Sequence, residues 1–334
     1  MQVNALFTPL GPFEPHPHLA VALSGGADST ALLMLAREWV EPLGGNVSAL
    51  IVDHRLREDS TREAQEVAAR MDAIILTPEH HDGSNNLPER AREWRYDALT
   101  AWCRANNVLH LLVAHHADDQ AETAALHMAR GHTEDGASAM AAVSIRDGVR
   151  IVRPLLNIRK SALIDYLQAH AVRWVEDPTN ANLTFTRNAI RHAMTEEEHT
   201  RLIAIAQHQG RARAERDTCF AKAAASIAQV SEEHITLDMA ALLALPQSLA
   251  TRVLADSLCT VSGSHTRPRK HETEGLFVRI QETGFSKATL KHCIIEKRGA
   301  TLHITPEHSE NTDRQASKPL AASPFWWLDS PPHS

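Results

Sequence analysis

The sequence is poor in cysteine and contains no long apolar run. Its four cysteines show no Cys-x-x-Cys spacing, so we expect no disulfide framework, zinc ribbon or cysteine-ligated iron–sulfur site. Residues 1–18 carry neither the basic start nor the apolar centre of a signal peptide, and no apolar segment approaches the ~20 residues that a membrane span needs. These absences predict a cytoplasmic protein without a membrane partner.

The chain also lacks the excess of positive charge that is typical of nucleic-acid-binding proteins. Its formal net charge is −7, which argues mildly against a protein that is basic over its whole surface, so local clusters of Lys and Arg matter more. A length of 334 residues with 43% hydrophobic content is sufficient for two domains with buried cores. The 21 histidines are interpreted as compositional bias.

The most informative stretch is a glycine-containing loop, Ser24-Gly25-Gly26-Ala27-Asp28-Ser29. An apolar run precedes it and a helical pattern follows it, so the loop is expected to present backbone N–H groups to a phosphate at a helix N-terminus. The glycines allow close approach to an anion, and the serines add hydroxyl donors. Asp28 beside a phosphate implies a bridging Mg²⁺. The alternative is an ordinary helix start capped by Ser24 or Asp28.

This loop differs from the common nucleotide-binding motifs. No Lys follows the second glycine, as a Walker A motif requires, and the glycines are adjacent rather than spaced as in GxGxxG. The loop resembles the SGGxDS pyrophosphate loop of the N-type ATP pyrophosphatases, enzymes that cleave ATP between its α and β phosphates and adenylate an oxygen of their substrate. The resemblance implies ATP as a cofactor and leaves the substrate open.

The segments around the loop predict a βαβ unit. A second apolar run at 47–52 follows the first helix, which favours a parallel sheet with ligands at the carboxyl ends of its strands. Asp53 and His54 would then lie beside the loop, although ordinary polar residues at a strand end explain them equally well. Further along, 132–145 is predicted to be a flexible loop over the site, and 150–156 an edge strand.

Histidines and carboxylates follow the predicted strand 108–114: His115, His116, Asp118, Asp119 and Glu122. Asp119 and Glu122 are three residues apart and share a helix face. Acidic residues in a first turn stabilise a helix through its dipole, but two neighbouring histidines exceed what capping needs. We therefore expect a functional role for this cluster.

A predicted helix over 87–106 carries Arg90, Arg92 and Arg95. Arg92 and Arg95 share a face of that helix. On spacing alone, a solvated arginine face accounts for them.

The second half of the chain predicts a helical linker over 195–229 and a small domain over 230–307. That domain would contain a helix over 239–258 and a β-hairpin around Arg298-Gly299-Ala300. Residues 308–334, rich in Ser, Pro and His, are predicted to form a flexible tail. With residues 1–194 as the catalytic domain, the predicted fold class is α/β: a parallel, Rossmann-like sheet followed by a smaller, mainly helical domain.

Five segments together resemble one family in order and spacing. They are SGGADS at 24–29, VDHRLREDS at 52–60, ERAREWRYDAL at 89–99, AHHADDQAET at 114–123 and EDPTNANLTFTRNAIR at 176–191. The family is tRNA(Ile)-lysidine synthetase, and the match is strong over 19–192 and weaker over 230–307.

The resemblance implies a two-step ligation on cytidine 34 of a tRNA(Ile) with a CAU anticodon. ATP adenylates the C2 carbonyl oxygen of the base and releases pyrophosphate. The ε-amine of free L-lysine then attacks C2 and expels AMP, which gives lysidine. The product pairs with A instead of G, and the tRNA is charged with isoleucine instead of methionine.

The resemblance also implies roles for individual residues. The catalytic set would be Asp28, His115, Asp119, Glu122 and Arg187. Loop residues 24–29 would hold ATP, and Asp28 would reach Mg²⁺. Asp119 and Glu122 would bind the amino groups of lysine, with a carboxylate also able to accept a proton from the attacking amine.

Basic residues would bind the other charges of the substrates. Arg92 and Arg95 would bind the lysine carboxylate or an ATP phosphate. The tRNA backbone would contact Arg191 and the polar loop over 262–274, through Arg267, Arg269 and Lys270.

Three other functions remain open at this stage. A tRNA thiolase of the same superfamily also adenylates a base, but it generally needs paired cysteines or a cluster, and the catalytic half contains only Cys103. A metal-dependent phosphoesterase would use Asp53, His54 and the cluster at 115–119, but would leave the glycine loop without a purpose. A non-catalytic ATP-binding module is the third. The oligomeric state is also open, with a homodimer among the options.

Overall fold

A computed structural model describes residues 1–53, 55, 60–77, 87–129, 140–175, 194–231, 234–264 and 266–307. The chain divides into two compact units, Met1–Arg213 and a second that begins at Ala214. The division falls inside one long helix, Glu196–Ile227. The domain limits expected from the sequence, 1–194 and 230–307 with a linker between them, stay a prediction.

The first unit is built on a six-stranded sheet. Its strands are β1 (His18–Ala22), β2 (Asn46–Val52), β3 (Ala73–Leu76), β4 (His110–Leu112), β5 (Val143–Arg146) and β6 (Val149–Val152). They lie in the order β3-β2-β1-β4-β6-β5, and every neighbouring pair is parallel except β5 with β6. The predicted α/β class with a mostly parallel sheet is confirmed.

Helices cover both faces of this sheet. They are α1 (Val3–Phe7), α2 (Ala27–Val40), α3 (Ser60–Met71), α4 (Leu87–Ala105), α5 (Ala117–Ala129) and α6 (Lys160–Ala169). On one face Leu32 of α2 and Leu163 of α6 are fully buried in the same core, and on the other face Leu99 of α4 packs with Leu111 of β4. Burial of each such leucine stabilises the fold by roughly 1.5–3 kcal/mol.

The end of this sheet differs from the sequence prediction. The strand predicted at the edge, β6, lies between β4 and β5, and the last residues of the predicted loop 132–145 belong to β5. Asp147 and Gly148 have φ values of 51° and 77°, the backbone of a two-residue hairpin turn. Sequence reasoning missed this Asp-Gly signal. Residues 130–139 lie outside the described part of the chain.

The second unit is built on a five-stranded antiparallel sheet. Its strands are β7 (Ala228–Val230), β8 (Ile235–Asp238), β9 (Lys287–Leu290), β10 (Cys293–Arg298) and β11 (Thr301–Pro306), in the order β7-β8-β11-β10-β9. The helices are α7 (Glu196–Ile227), which starts in the first unit, α8 (Met239–Ala244), α9 (Gln247–Ser262) and α10 (Lys270–Gln281). The predicted hairpin is present, with Arg298 opposite Thr301, but it is part of a larger sheet than the sequence indicated.

Two helices of the second unit differ from prediction. The single helix expected over 239–258 is interrupted at Pro246, which is the N-cap residue of α9. The polar loop expected over 262–274 is shorter, because α10 begins at Lys270 and the Glu272 side chain accepts the N–H of Arg269 at 2.6 Å. None of the helices in the described ranges combines the length and the apolar character that crossing a membrane requires.

Candidate active site

The candidate site lies in the first unit, at the carboxyl ends of β1 and β4. From β1 the chain moves outward to β2 and β3 on one side, and later returns to place β4 and β6 on the other. The loops after β1 and β4 therefore diverge, which leaves the crevice where parallel α/β sheets bind ligands.

The loop after β1 has a backbone that requires glycine. Gly25 has a φ of +83°, and a Cβ at this position would lie 2.8 Å from Val67 Cγ2. The next residue, Gly26, is the N-cap of α2 and contributes no capping side chain. The N-terminus of α2 thus carries the partial positive charge and the N–H groups that favour an anion.

The two serines of the loop hold its shape. Ser24 Oγ lies 3.0 Å from Ser29 Oγ, which also accepts the N–H of Ser24 at 3.1 Å and donates to the Gly26 carbonyl at 3.1 Å. Sequence reasoning treated these hydroxyls as phosphate donors. The structure gives them a further role, because their hydrogen bonds connect the two ends of the loop.

Asp28, in the first turn of α2, has one engaged oxygen and one unengaged oxygen. Its Oδ2 lies 3.5 Å from Lys160 Nζ and 3.7 Å from His116 Nε2. Its Oδ1 is buried and accepts no hydrogen bond from any described residue. Burial raises the pKa of Asp28, but the hydrogen bonds and charges of His116 and Lys160 outweigh it and lower the pKa overall. The carboxylate is therefore ionised, and one oxygen is available to a cation.

His116, after β4, joins the carboxylates of this region. It is only 2% exposed, and its Nδ1 lies 3.3 Å from Asp118 Oδ2 while its Nε2 lies 3.6 Å from Asp119 Oδ2. Burial lowers the pKa of His116, but hydrogen bonds to Asp118 and Asp28 raise it to about 9. At neutral pH the ring is a cation that offsets the charge of three carboxylates. Sequence reasoning selected the half-buried His115 instead, because spacing does not distinguish adjacent histidines.

Asp118 holds other elements in place. Its Oδ2 accepts the N–H of Lys160 at 2.7 Å, and its Oδ1 lies 3.3 Å from Arg159 Nε and 3.4 Å from His199 Nε2. Burial raises its pKa, and His116 and these neighbours lower it far below the usual range. Asp118 thus caps α6 and holds the first turn of α7.

Asp119 and Glu122 point into the protein rather than into water. Glu122 is 2% exposed, and the side chain of Asp119 is 20% exposed. Asp119 Oδ2 also accepts the N–H of His116 at 3.0 Å, which fixes the carboxylate at the N-terminus of α5. Asp119 thus lies beside His116, which also contacts Asp28, and Glu122 lies about one helical turn further along α5.

An arginine group lies near the carboxyl end of β6. Arg92 and Arg95 are exposed on α4, and Arg92 Cζ lies 5.8 Å from the ring centroid of Tyr96. Arg153, which follows β6, donates to the Ala141 carbonyl at 2.8 Å. Burial and the charge of Arg92 lower the pKa of Arg153, although Tyr96 acts in the opposite direction. Arg153 therefore lies close enough to Arg92 for their charges to interact. Sequence reasoning did not select Arg153.

Other candidate residues have different positions. Asp53 accepts from the Arg55 N–H at 2.9 Å, from Ser60 Oγ at 3.1 Å and from Thr61 Oγ1 at 2.7 Å, so its carboxylate fixes the start of α3. Residue 54 and the segment 176–193, which contains Arg187 and Arg191, lie outside the described residues.

The candidate tRNA-binding residues of the second unit are not equivalent. Arg267 forms a two-point ion pair with Asp256, whose side chain is only 7% exposed. Lys270 is 89% exposed and lies 3.7 Å from Glu274, and Arg269 is also exposed. Arg267 is thus held by a buried carboxylate, whereas Arg269 and Lys270 are exposed side chains.

The donor set limits how a metal ion would be held. Among the described residues, no three His, Cys, Asp or Glu side chains form a group that could hold a metal ion. Mg²⁺ is commonly bound by one or two carboxylates together with substrate phosphates and water. The unengaged Oδ1 of Asp28 fits that pattern, and a phosphate on the loop would complete it.

Known proteins identify the family. A family profile described as a PP-loop domain matches residues 1–198. A tRNA(Ile)-lysidine synthase of Wolbachia pipientis wMel is 33% identical over 331 residues, covering 92% of this chain and 75% of the relative. Another, from Ruegeria pomeroyi, is 34% identical over 304 residues, covering 88% of this chain and 72% of the relative.

A solved structure supports the fold. The U34-tRNA thiolase NcsA of Methanococcus maripaludis superposes with a TM-score of 0.51 at 15% identity, over 63% of this chain and 76% of that chain. Identity at this level supports the architecture and carries no statement about substrate. The profile match and the curated relatives together show that this chain belongs to the PP-loop family and, within it, to the tRNA(Ile)-lysidine synthases.

Proposed function

We propose that this protein ligates L-lysine to C2 of cytidine 34 in the CAU anticodon of tRNA(Ile), with conversion of ATP to AMP and pyrophosphate. The observation that carries the proposal is the proximity of the α2 N-terminus, where Asp28 lies, to Asp119 in the first turn of α5. We assign Asp28 to the charge of the nucleotide and Asp119 to the charge of the amine. Both carboxylates lie within 4 Å of the same His116 nitrogen.

In the first step the loop 24–29 holds the phosphates of ATP. The α2 N-terminus attracts the anion, and Gly25 and Gly26 allow it to approach the backbone. Asp28 would hold Mg²⁺ through Oδ1, and the ion would supply charge neutralisation to the phosphates. The C2 oxygen of the cytidine attacks the α-phosphorus, and pyrophosphate leaves. Arg187 is assigned to the charge of the transferred adenylyl group.

In the second step Asp119 and Glu122 bind the lysine amines. Glu122 is buried and Asp119 is partly buried, so water screens their attraction for an ammonium group less than at the surface. One of the two accepts a proton from the ε-ammonium, which makes the amine nucleophilic toward C2. We assign to His115, which is half-buried and follows β4, the role of sharing that proton.

The arginine group is assigned to the lysine carboxylate. Guanidinium groups bind carboxylates in a two-point geometry, so Arg92 or Arg95 would fix the end of the amino acid opposite its ε-amine. This contact would make free lysine, rather than a simple amine, the substrate.

The tRNA backbone is assigned to Arg191, Arg269 and Lys270, which we expect to act through salt-sensitive phosphate contacts. We expect Arg267 to contribute less to tRNA binding, because its guanidinium is paired with Asp256. We further propose residues 1–194 as the catalytic domain, 230–307 as a tRNA-binding domain, and the cytoplasm as the location.

Two alternatives are less well supported by the residues. A thiolase needs a reactive sulfur, but Cys103 is fully buried, and burial raises the pKa of its thiol to about 12. A phosphoesterase built on Asp53 would lose a ligand, because that carboxylate already accepts three hydrogen bonds.

The test is a ligation assay. Pure protein is incubated with radiolabelled lysine and an unmodified tRNA(Ile) transcript with a CAU anticodon, with and without ATP. A transcript in which cytidine 34 is replaced by uridine is the matched control. We expect label in the first RNA, dependent on ATP, and none in the control. Label that remains free under all conditions would refute the proposal.

A further inference from the structure

A lysine beside the phosphate loop has no role in the scheme above. Lys160 is the first residue of α6, and its Nζ lies 3.5 Å from Asp28 Oδ2. Its side chain is 37% exposed. Because Asp28 belongs to the first turn of α2, the ammonium group lies beside the helix end to which we assign the phosphates.

The backbone of Lys160 is fixed while its side chain is not. Its N–H donates to Asp118 Oδ2 at 2.7 Å, and three residues later Leu163 is fully buried in the core that contains Leu32 of α2. The ammonium lies 3.5 Å from Asp28 Oδ2, a longer and weaker contact than the one made by the backbone N–H. The side chain is also open to solvent. The side chain can therefore change partners without moving α6.

The other described cations near Asp28 are already engaged. His116 is buried and shared between three carboxylates. Arg159 divides its guanidinium between Asp118, at 3.3 Å from Nε, and Glu196, at 2.8 Å from Nη2. Within the described ranges, the positive groups within 4 Å of the Asp28 carboxylate are His116 and Lys160, and of these Lys160 is the accessible one.

We propose that Lys160 is a catalytic residue of the first half-reaction, an inference that rests on the function proposed above. Its ammonium binds the β and γ phosphates of ATP and stabilises the charge of the departing pyrophosphate. In the free protein Asp28 holds the ammonium. Mg²⁺ on Asp28 would neutralise that carboxylate, and the Lys160 side chain would then be able to turn to the phosphates.

The step balances without a proton from Lys160. A bond forms between the C2 oxygen of cytidine 34 and the α-phosphorus, and the bond from that phosphorus to the oxygen bridging to the β-phosphorus breaks. The electron pair of the broken bond stays on pyrophosphate. Lys160 remains protonated, and its effect is electrostatic. Loss of one such preorganised contact slows a reaction by about 10²–10³-fold.

Lys160→Met and Lys160→Arg test the inference, with Lys222→Met, an exposed lysine of α7, as the matched control. The first readout is the Kd of inorganic pyrophosphate with Mg²⁺, measured by calorimetry without substrates. We expect Lys160→Met to weaken binding by about tenfold or more, which corresponds to about 1.4 kcal/mol. Lys160→Arg, which keeps the charge, should retain most of the affinity, and Lys222→Met all of it.

The second readout is the rate of pyrophosphate release with ATP and tRNA before lysine is added. Lys160→Met should slow it by about 10²-fold. The KM for lysine should not change, because Asp119 and Glu122 are intact. Circular dichroism and thermal melting establish that each variant is folded, and Lys160→Gln replaces Lys160→Met if the latter does not fold.

Two results would overturn the inference. One is an unchanged pyrophosphate Kd and release rate in the folded Met or Gln variant. The other is an equal loss in the Met and Arg variants, which would mean that shape rather than charge matters. Lysine incorporation by the unsubstituted protein is measured in parallel. Its absence would refute the proposed ligation but not the Lys160-dependent binding of pyrophosphate, so the two failures are distinguishable.

Discussion

Two aspartates, one in each unit of the molecule, are paired differently. In the second unit Asp256 is paired with Arg267, while Arg252 donates to Asp217 at 2.7 Å and packs 4.1 Å from the Phe220 ring centroid. In the first unit Asp28 retains a buried oxygen that accepts no hydrogen bond from a described residue.

Satisfied ion pairs are what a stable fold needs, whereas unsatisfied buried groups are costly and persist where a ligand uses them. We interpret the contrast between these two aspartates as a division of tasks: Asp28 is assigned to binding and catalysis, and the Asp256–Arg267 pair to stability. The following substitutions test this difference, from the largest expected effect to the smallest.

Asp28→Asn should reduce ligation by about 10³-fold, because it removes the carboxylate to which we assign Mg²⁺ beside the loop 24–29. Steady-state kinetics with saturating lysine and tRNA measure this loss. The melting temperature should change little, because asparagine keeps the shape and one acceptor oxygen. A variant with near-normal kcat would remove Asp28 from the active site.

Gly25→Ala should abolish nucleotide binding and destabilise the fold by about 1–3 kcal/mol, because φ is +83° and the added Cβ would meet Val67 at 2.8 Å. Gly26→Ala is the matched control, since its Cβ would have an ordinary contact with Ser24 Oγ at 3.6 Å. Chemical denaturation and nucleotide titration compare them. Equal stability of the two variants would contradict the strained geometry assigned to Gly25.

His116 should make stability depend on pH. Its pKa is raised in the folded protein from 6.5 to about 9, so its contribution is complete below pH 6.5 and is lost as the pH rises toward 9. The free energy of unfolding should therefore fall across that window in the unsubstituted protein. In His116→Asn the fall should be smaller. Parallel curves for the two proteins would show that His116 is not charged in the fold.

Arg267→Met should destabilise the second unit by about 1–3 kcal/mol, because Asp256 is 7% exposed and would lose its two-point partner. Pyrophosphate release from ATP should be much less affected than by Asp28→Asn. Chemical denaturation monitored separately in each unit measures the loss of stability, and the pyrophosphate-release assay measures the loss of activity. A large kinetic loss without destabilisation would assign Arg267 to substrate binding instead.

Cys103→Ala should leave lysine incorporation within about twofold, since a buried thiol with a pKa of about 12 is not a nucleophile at neutral pH. Incorporation assays on both proteins measure this. Loss of activity with unchanged stability would favour sulfur chemistry.

Much of this structure could be predicted from the sequence, and the exceptions have physical causes. The strand–loop–helix pattern around Gly25 and Gly26 is local, so it predicted these elements correctly. The role of Asp53 depends on contacts with Ser60 and Thr61, which polarity alone does not reveal.

Long-range contacts were the least predictable feature of the site. Lys160 lies 132 residues from Asp28, and nothing in local spacing joins them. His116 and His115 are equivalent in a sequence, and only the packing of β4 and α5 separates a buried cation from its half-buried neighbour.

The most direct test of the central claim compares the two half-reactions in Asp119→Asn. Asparagine can still accept the N–H of His116, so the fold of the α5 N-terminus is kept. We predict near-normal pyrophosphate release from ATP and tRNA, with lysine incorporation reduced by about 10²-fold or more at subsaturating lysine. Equal loss of both half-reactions, or normal lysine incorporation, would contradict the assignment of this carboxylate to the amine.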